Sequence, residues 1–185
     1  MDREGMTDFF FKFNQTVLNL LCLPIPTACA IKGHAIAGGA ILMLACDYRM
    51  AATGRTLIGL NEIKLGVPTP YLADMILRRT SSDHVASDIM YLGEFIDSSY
   101  AWKAGIVSDI FEPEMVEKEA MEKVSRITKF NLRAFAESKA NRVELLRKRY
   151  PENHKKENEA FLECWFDDAV QESLKEAAEK SFRAR

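Results

Sequence analysis

Positive charge is not in excess in this chain of 185 residues: 25 Lys and Arg stand against 27 Asp and Glu, a formal net charge of −2. Without a basic surplus, neither nucleic acid nor an anionic membrane surface is expected as a partner. Long hydrophobic runs are missing too. The longest uncharged apolar run, Ala35 to Cys46, has 12 residues and stops at Asp47, whereas a helix needs roughly 20 to cross a bilayer. The first residues, Met1 to Met6, include Asp2, Arg3 and Glu4 and no basic n-region, which predicts no secretory signal and a cytoplasmic protein. Cysteine is scarce: Cys22, Cys29, Cys46 and Cys164 lie among apolar residues, with no CxxC and no histidine at ligand spacing. Buried free thiols are therefore expected, with no metal site and no disulfide.

What is present is 48% hydrophobic residues with 28% charged ones, enough for one compact core. Between Val17 and Asp47 only Lys32 and Asp47 carry a formal charge, whereas the 74 residues from Glu112 onward hold 16 acidic and 16 basic side chains. That contrast predicts a core region over 1–111 and a helical region over 112–185. Phe10, Phe13, Val17, Leu20 and Leu21 recur at helical steps within Thr7 to Leu21, and Pro24 and Pro26 end that helix. Thr27 to Lys32 reads as a buried strand, Ala40 to Cys46 as a helix, and Tyr48 to Ala52 and Thr56 to Leu60 as strands. Helices follow over Tyr71 to Arg79, Ser82 to Leu92 and Ser98 to Ala104, then a strand over Ile106 to Phe111. Strands alternating with helices and a helical tail describe an α/β fold.

Two segments can carry chemistry. In Lys32-Gly-His-Ala-Ile-Ala-Gly-Gly-Ala40 a strand ends, a glycine-rich loop follows and an apolar helix begins. Paired glycines admit a ligand to the main chain, and the free N–H groups of the first helical turn favour an anion. The alternative is that Gly38 and Gly39 only let the helix pack closely. In Ile58-Gly-Leu-Asn-Glu-Ile63, Glu62 sits between apolar stretches, where desolvation raises a carboxyl pKa toward that of a working base. The alternative is a solvated loop glutamate. His34 and His84 suit a loop hydrogen bonder and a helix-surface residue, and Asp47 a hydrogen bonder at a strand start.

The segments Ile31-Lys-Gly-His-Ala-Ile-Ala-Gly-Gly-Ala-Ile-Leu-Met-Leu-Ala-Cys-Asp-Tyr-Arg49, Ile58-Gly-Leu-Asn-Glu-Ile-Lys-Leu-Gly66 and Ala101-Trp-Lys-Ala-Gly-Ile-Val107 together resemble the crotonase superfamily, the enoyl-CoA hydratases and isomerases. The resemblance implies an α/β spiral of ββα units with a C-terminal helical oligomerisation region. It also implies roughly 60 to 70 further residues at the N-terminus, so that this chain reads as N-terminally truncated. In that family two backbone N–H groups hold the thioester oxygen of an acyl-CoA as enolate charge develops. By position one donor is Gly38. Family hydratases carry two glutamates; one position matches Glu62, and Ile41 occupies the other.

Hydration needs polar groups that fix and deprotonate water, which Ile41 cannot supply, whereas moving a double bond needs one base and a dry site. Ile58-Gly-Leu-Asn-Glu62 and Val67-Pro-Thr-Pro-Tyr71 resemble the Δ3,Δ2-enoyl-CoA isomerase branch. The implied function is an isomerase that moves a double bond from C3 to C2 of an enoyl-CoA, with Glu62 as base. The alternatives are an enoyl-CoA hydratase and a non-catalytic acyl-CoA binding subunit. Ala37, Gly39, Ile41, Asn61, Pro70 and Lys139 are implied to line the substrate site, Lys139 near the CoA phosphates. The coenzyme A thioester is then the substrate, with no separate cofactor. Phe161, Leu162, Trp165, Phe166 and Val170 recur at helical spacing, an apolar stripe that suits packing on the core or against a neighbouring subunit, and the resemblance implies a homotrimer or hexamer.

Overall fold

A computed structural model describes residues 1–183, with side chains through Glu179. In chain order the elements are α1 (Arg3–Cys22), β1 (Ala28–Ile31), β2 (Ala35–Ile36), α2 (Gly38–Leu44), β3 (Tyr48–Ala52) and β4 (Leu57–Gly59). A single 3-10 turn (Glu62–Leu65) precedes α3 (Tyr71–Thr80), α4 (Asp83–Leu92), β5 (Ile96–Asp97), α5 (Ser98–Lys103) and β6 (Asp109–Phe111). The chain continues as α6 (Val116–Ile127), α7 (Leu132–Trp165) and α8 (Asp168–Arg183). No helix among the described residues is long and apolar enough to cross a membrane.

The strands form two small sheets. In the first, of order β1-β3-β6, all neighbours are parallel and Cys29 stands opposite Arg49. In the second, β2 pairs parallel to β4, and β4 antiparallel to β5. Strands β2 and β5 escape the sequence reading because two residues cannot display an alternation. The strand expected from Ile106 begins only at Asp109, since the Ile106 and Val107 amides both turn back to the Ala101 carbonyl. Helix α1 begins a turn earlier than its apolar pattern because the Asp2 carboxylate accepts from the Gly5 amide and caps the free N–H groups there. It buries Met6, Phe10, Val17, Leu18 and Leu21 on one face.

The main core joins both halves of the chain: Val143, Leu146 and Tyr150 of α7 are buried in the same cluster as Leu18, Ile41, Leu72 and Ile106. The helical region is therefore packed onto the α/β layer along α1 and α3. Residues 161–170, read from sequence as one stripe packed on the core or against a neighbouring subunit, are divided between two helices. Helix α7 ends at Trp165, Phe166 caps it, and α8 starts at Asp168. Phe161 and Leu162 are buried with Met6, Phe10 and Val67, and Trp165, Phe166 and Val170 pack against that cluster. The Phe10 and Phe161 rings stack at 4.1 Å between centroids. The stripe is thus spent within the chain, because the start of α1 offers it an apolar partner. The thiols also differ from expectation: all four are free, but Cys22, Cys29 and Cys46 are only half-buried and Cys164 is exposed.

Candidate active site

The two segments singled out from sequence meet through the second sheet. Ala35 and Ile36 pair with Ile58 and Gly59, and the Ala37 amide extends the ladder to the Gly59 carbonyl at 3.0 Å. Gly38 is the next residue beyond that bond on one strand, and Asn61 and Glu62 follow within three residues on the other. Both segments therefore leave the carboxyl ends of adjacent parallel strands, where open sheets of this kind hold ligands.

Helix α2 begins at Gly38 with its N–H groups unpaired within the helix until Ile41, whose amide bonds to the Ala37 carbonyl. Ala37, at the helix N-cap, has φ 49° and ψ −122°. A side chain in that region of φ/ψ space costs on the order of 1–3 kcal/mol, and such strain concentrates at functional sites. Space is kept open beside it. A methyl group added at Gly39 would meet nothing within 4 Å, and one at Gly38 would touch only the Phe13 ring at 3.5 Å. Close helix packing therefore does not demand either glycine. What they preserve is access to the amides of the first turn, an arrangement that accepts an oxyanion.

Glu62 opens the 3-10 turn and is 7% exposed. Its Oε2 is buried with no hydrogen-bond partner among the described residues, and desolvation pushes its carboxyl above the ordinary range, opposed by a hydrogen bond from its own backbone amide. A carboxylate so placed gains by taking a proton. The Oδ1 of Asn61, the preceding residue, is likewise buried with no hydrogen-bond partner among the described residues. Ile41 is 2% exposed within the main core. Pro70 is buried at the start of α3. A cavity of about 640 Å³ between the first turns of α1 and the second half of α7 is lined by neither Glu62 nor Gly38.

Lys139 is not in this group. Its ammonium donates to the Asp47 carboxylate at 2.7 Å and to the Ile25 carbonyl at 3.1 Å, with the side chain 3% exposed. Its expected place beside CoA phosphates is corrected: it is a buried structural cation that ties α7 to the loop before β1 and to the start of β3. Asp47 does what a strand-start hydrogen bonder does, accepting also from the Thr27 amide and hydroxyl. His34 Nδ1 accepts from the Leu57 amide at 3.1 Å, which places its proton on Nε2, and His84 is exposed beside Asp88. Among the described residues no group of His, Cys, Asp and Glu is arranged to hold a metal ion. The strained Ala37 conformation had no signal in the sequence, since alanine does not advertise a positive φ.

With this geometry in place, the comparison with known families is decisive. The enoyl-CoA hydratase/isomerase profile matches residues 2–183. The chain belongs to the enoyl-CoA hydratase/isomerase family. Its fold is the mixed α/β fold of the crotonase superfamily with a large C-terminal helical part. Human mitochondrial delta3-delta2-enoyl-CoA isomerase superposes with TM-score 0.94 at 24% identity, over 100% of this chain and 72% of that one. Among curated relatives, the fatty acid oxidation complex subunit alpha of Idiomarina loihiensis is 36% identical over 65% of this chain and 17% of that protein. The (E)-benzylidenesuccinyl-CoA hydratase of Thauera aromatica is 33% identical over 60% of this chain and 43% of that protein. The matched region thus spans less than half of either curated relative.

Proposed function

We propose that this enoyl-CoA hydratase/isomerase family member is an isomerase that moves the double bond of a 3-enoyl-CoA to C2. Glu62 removes a C2 proton and returns it at C4, and the Gly38 amide donates to the thioester oxygen of the enolate. The observation that carries this reading is Glu62 itself: a buried carboxylate with a free oxygen and a pKa raised by desolvation, hence a stronger base than a solvated glutamate. The apolar Ile41 keeps water from a fixed place beside the substrate. Ala37, Gly39, Asn61 and Pro70 would line the acyl thioester site, which needs no group beyond the CoA substrate.

Similarity to an (E)-benzylidenesuccinyl-CoA hydratase favours hydration as a second reading. The two separate in one assay: 3-enoyl-CoA isomerisation is expected to run far faster than 2-enoyl-CoA hydration, and comparable rates would overturn the isomerase assignment. Glu62→Gln is isosteric and is expected to abolish isomerisation. Retention of more than about a tenth of turnover, a loss under ~1.4 kcal/mol, would show that Glu62 is not the base. Binding of acyl-CoA with no turnover in the unmodified protein would leave a non-catalytic acyl-CoA binding subunit. A cytoplasmic homotrimer or hexamer belongs to the same reading; light scattering at micromolar concentration is expected to give a multiple of 21.0 kDa, and a monomer mass would remove the assembly.

A further inference from the structure

At the far end of α2 from Gly38, the C-terminal turns of α2 and α3 meet the first half of α7 at a narrow crevice. Its walls include Cys46, Asp47, Arg49, Arg79 and Arg142. The 7 residues of α2 rise about 1.5 Å each, so this crevice lies on the order of 10 Å from the candidate active site. Three guanidinium groups converge here. Arg49 is 8% exposed and donates through Nε to the Ile106 carbonyl and through Nη1 to the Cys46 carbonyl. Arg79 donates through Nη2 to the backbone carbonyl of Arg142. Burial and the charge of Arg142 together disfavour the protonated forms of both Arg49 and Arg79.

The opposing negative charge is insufficient. Asp47 already accepts from Lys139 and Thr27, and the Asp47–Lys139 pair sums to zero. The Cys46 thiol is held well above its ordinary pKa by Cys29 and burial, while Cys29, lowered to about 7, contributes a fractional charge. The C-termini of α2 and α3 each present about half a negative charge to the crevice. Against three guanidinium groups, roughly two positive charges remain uncompensated. Like charges held together in a partly desolvated place attract a counter-ion strongly.

We propose that this crevice binds a phosphate-class dianion between the guanidinium groups of Arg79 and Arg142, over the buried Arg49. Guanidinium forks match pairs of tetrahedral oxyanion oxygens, and a dianion balances two charges where a carboxylate would leave one. The crevice adjoins a hollow of about 260 Å³ that shares Asp47 and Arg142 with it and is also lined by Tyr48, Phe135, Ser138 and Lys139, whose ammonium is already paired with Asp47. An ester group on the phosphate therefore has room.

The test is thermal unfolding and calorimetric titration with sodium phosphate against sodium chloride at equal ionic strength. The discriminating variant is Arg142→Gln, because among the described residues Arg142 serves the fold through its backbone carbonyl and not through its guanidinium. Without phosphate, Arg142→Gln is expected to melt at or above the wild-type temperature, one repelling charge having gone. With phosphate it is expected to bind at least tenfold more weakly, and Arg79→Lys, which keeps the charge but loses the fork, to bind more weakly too. Phosphate stabilising no more than chloride would overturn the proposal, as would Arg142→Gln binding phosphate as tightly as the wild type. Coenzyme A that displaces phosphate in an Arg142-dependent way assigns the anion to a CoA ligand; a lack of displacement assigns it to free phosphate. No turnover enters either measurement, so this proposal and the isomerase reading fail separately.

Discussion

Replacement of Lys139 by methionine separates a structural ammonium from a substrate-binding one. The methionine keeps most of the aliphatic stem and removes the charge. In the folded protein the ammonium is 3% exposed, and it bonds the Asp47 carboxylate and the Ile25 carbonyl. Breaking a buried ion pair by deleting one partner costs about 3–5 kcal/mol, because the other charge stays behind uncompensated. Here Asp47 retains both donors of Thr27 and has 20% of its side chain in contact with solvent, so the lower end, about 3 kcal/mol, applies. For a chain of this size each kcal/mol moves the melting midpoint by roughly 2–4 °C, so a fall of about 6–12 °C is expected. Adding Asp47→Asn removes the stranded charge, and the double variant is expected to lose less than the sum of the two singles. Circular dichroism melts of the four proteins, with acyl-CoA titrations alongside, complete the cycle. An unchanged melting midpoint for Lys139→Met together with a tenfold loss of CoA affinity would refute the structural assignment and return Lys139 to the substrate site.

Other outcomes follow from the site. Because the Glu62 pKa is raised in the folded protein, the contribution of this residue to stability is full at low pH and is lost as pH rises through the folded value. Glu62→Gln is therefore expected to melt higher than wild type at neutral pH while losing turnover, and the wild-type kcat/KM to climb with pH through a midpoint above that of an ordinary glutamate; a variant that melts lower would contradict the desolvation argument. Gly38→Ala meets only the Phe13 ring at 3.5 Å and is expected to hold or gain stability, with up to about 1 kcal/mol from helix propensity. Its turnover should nevertheless fall as the methyl intrudes on the first-turn amides, and full activity would refute the assignment of that space to substrate.

The helices were legible because their apolar residues recur every three or four positions, and β3 was legible as a short strand closed by the turn residues Thr53 and Gly54. Glu62 and the glycine loop stood out as candidates for a different reason. Both lie in short segments whose residue types are constrained by what the backbone must do, and the order and spacing of those segments carry family membership. Ile41 was equally readable as an apolar residue on the short helix that follows the glycine loop. None of this required knowing which groups lie near one another.

Only the tertiary structure decided the rest, since it depends on residues distant in the chain. Strands of two residues exist because a neighbour completes their hydrogen bonds, as Ile58 and Gly59 do for Ala35 and Ile36. Lys139 reads as one more basic residue on a charged helix until Asp47, 92 positions earlier, is found against it. The apolar residues from Phe161 to Val170 carry no label for an internal or an external partner; Met6 and Phe10 at the start of the chain supply it. Composition and periodicity state that a face must be covered or a charge balanced, while the identity of the covering or balancing group follows from where the folded chain returns.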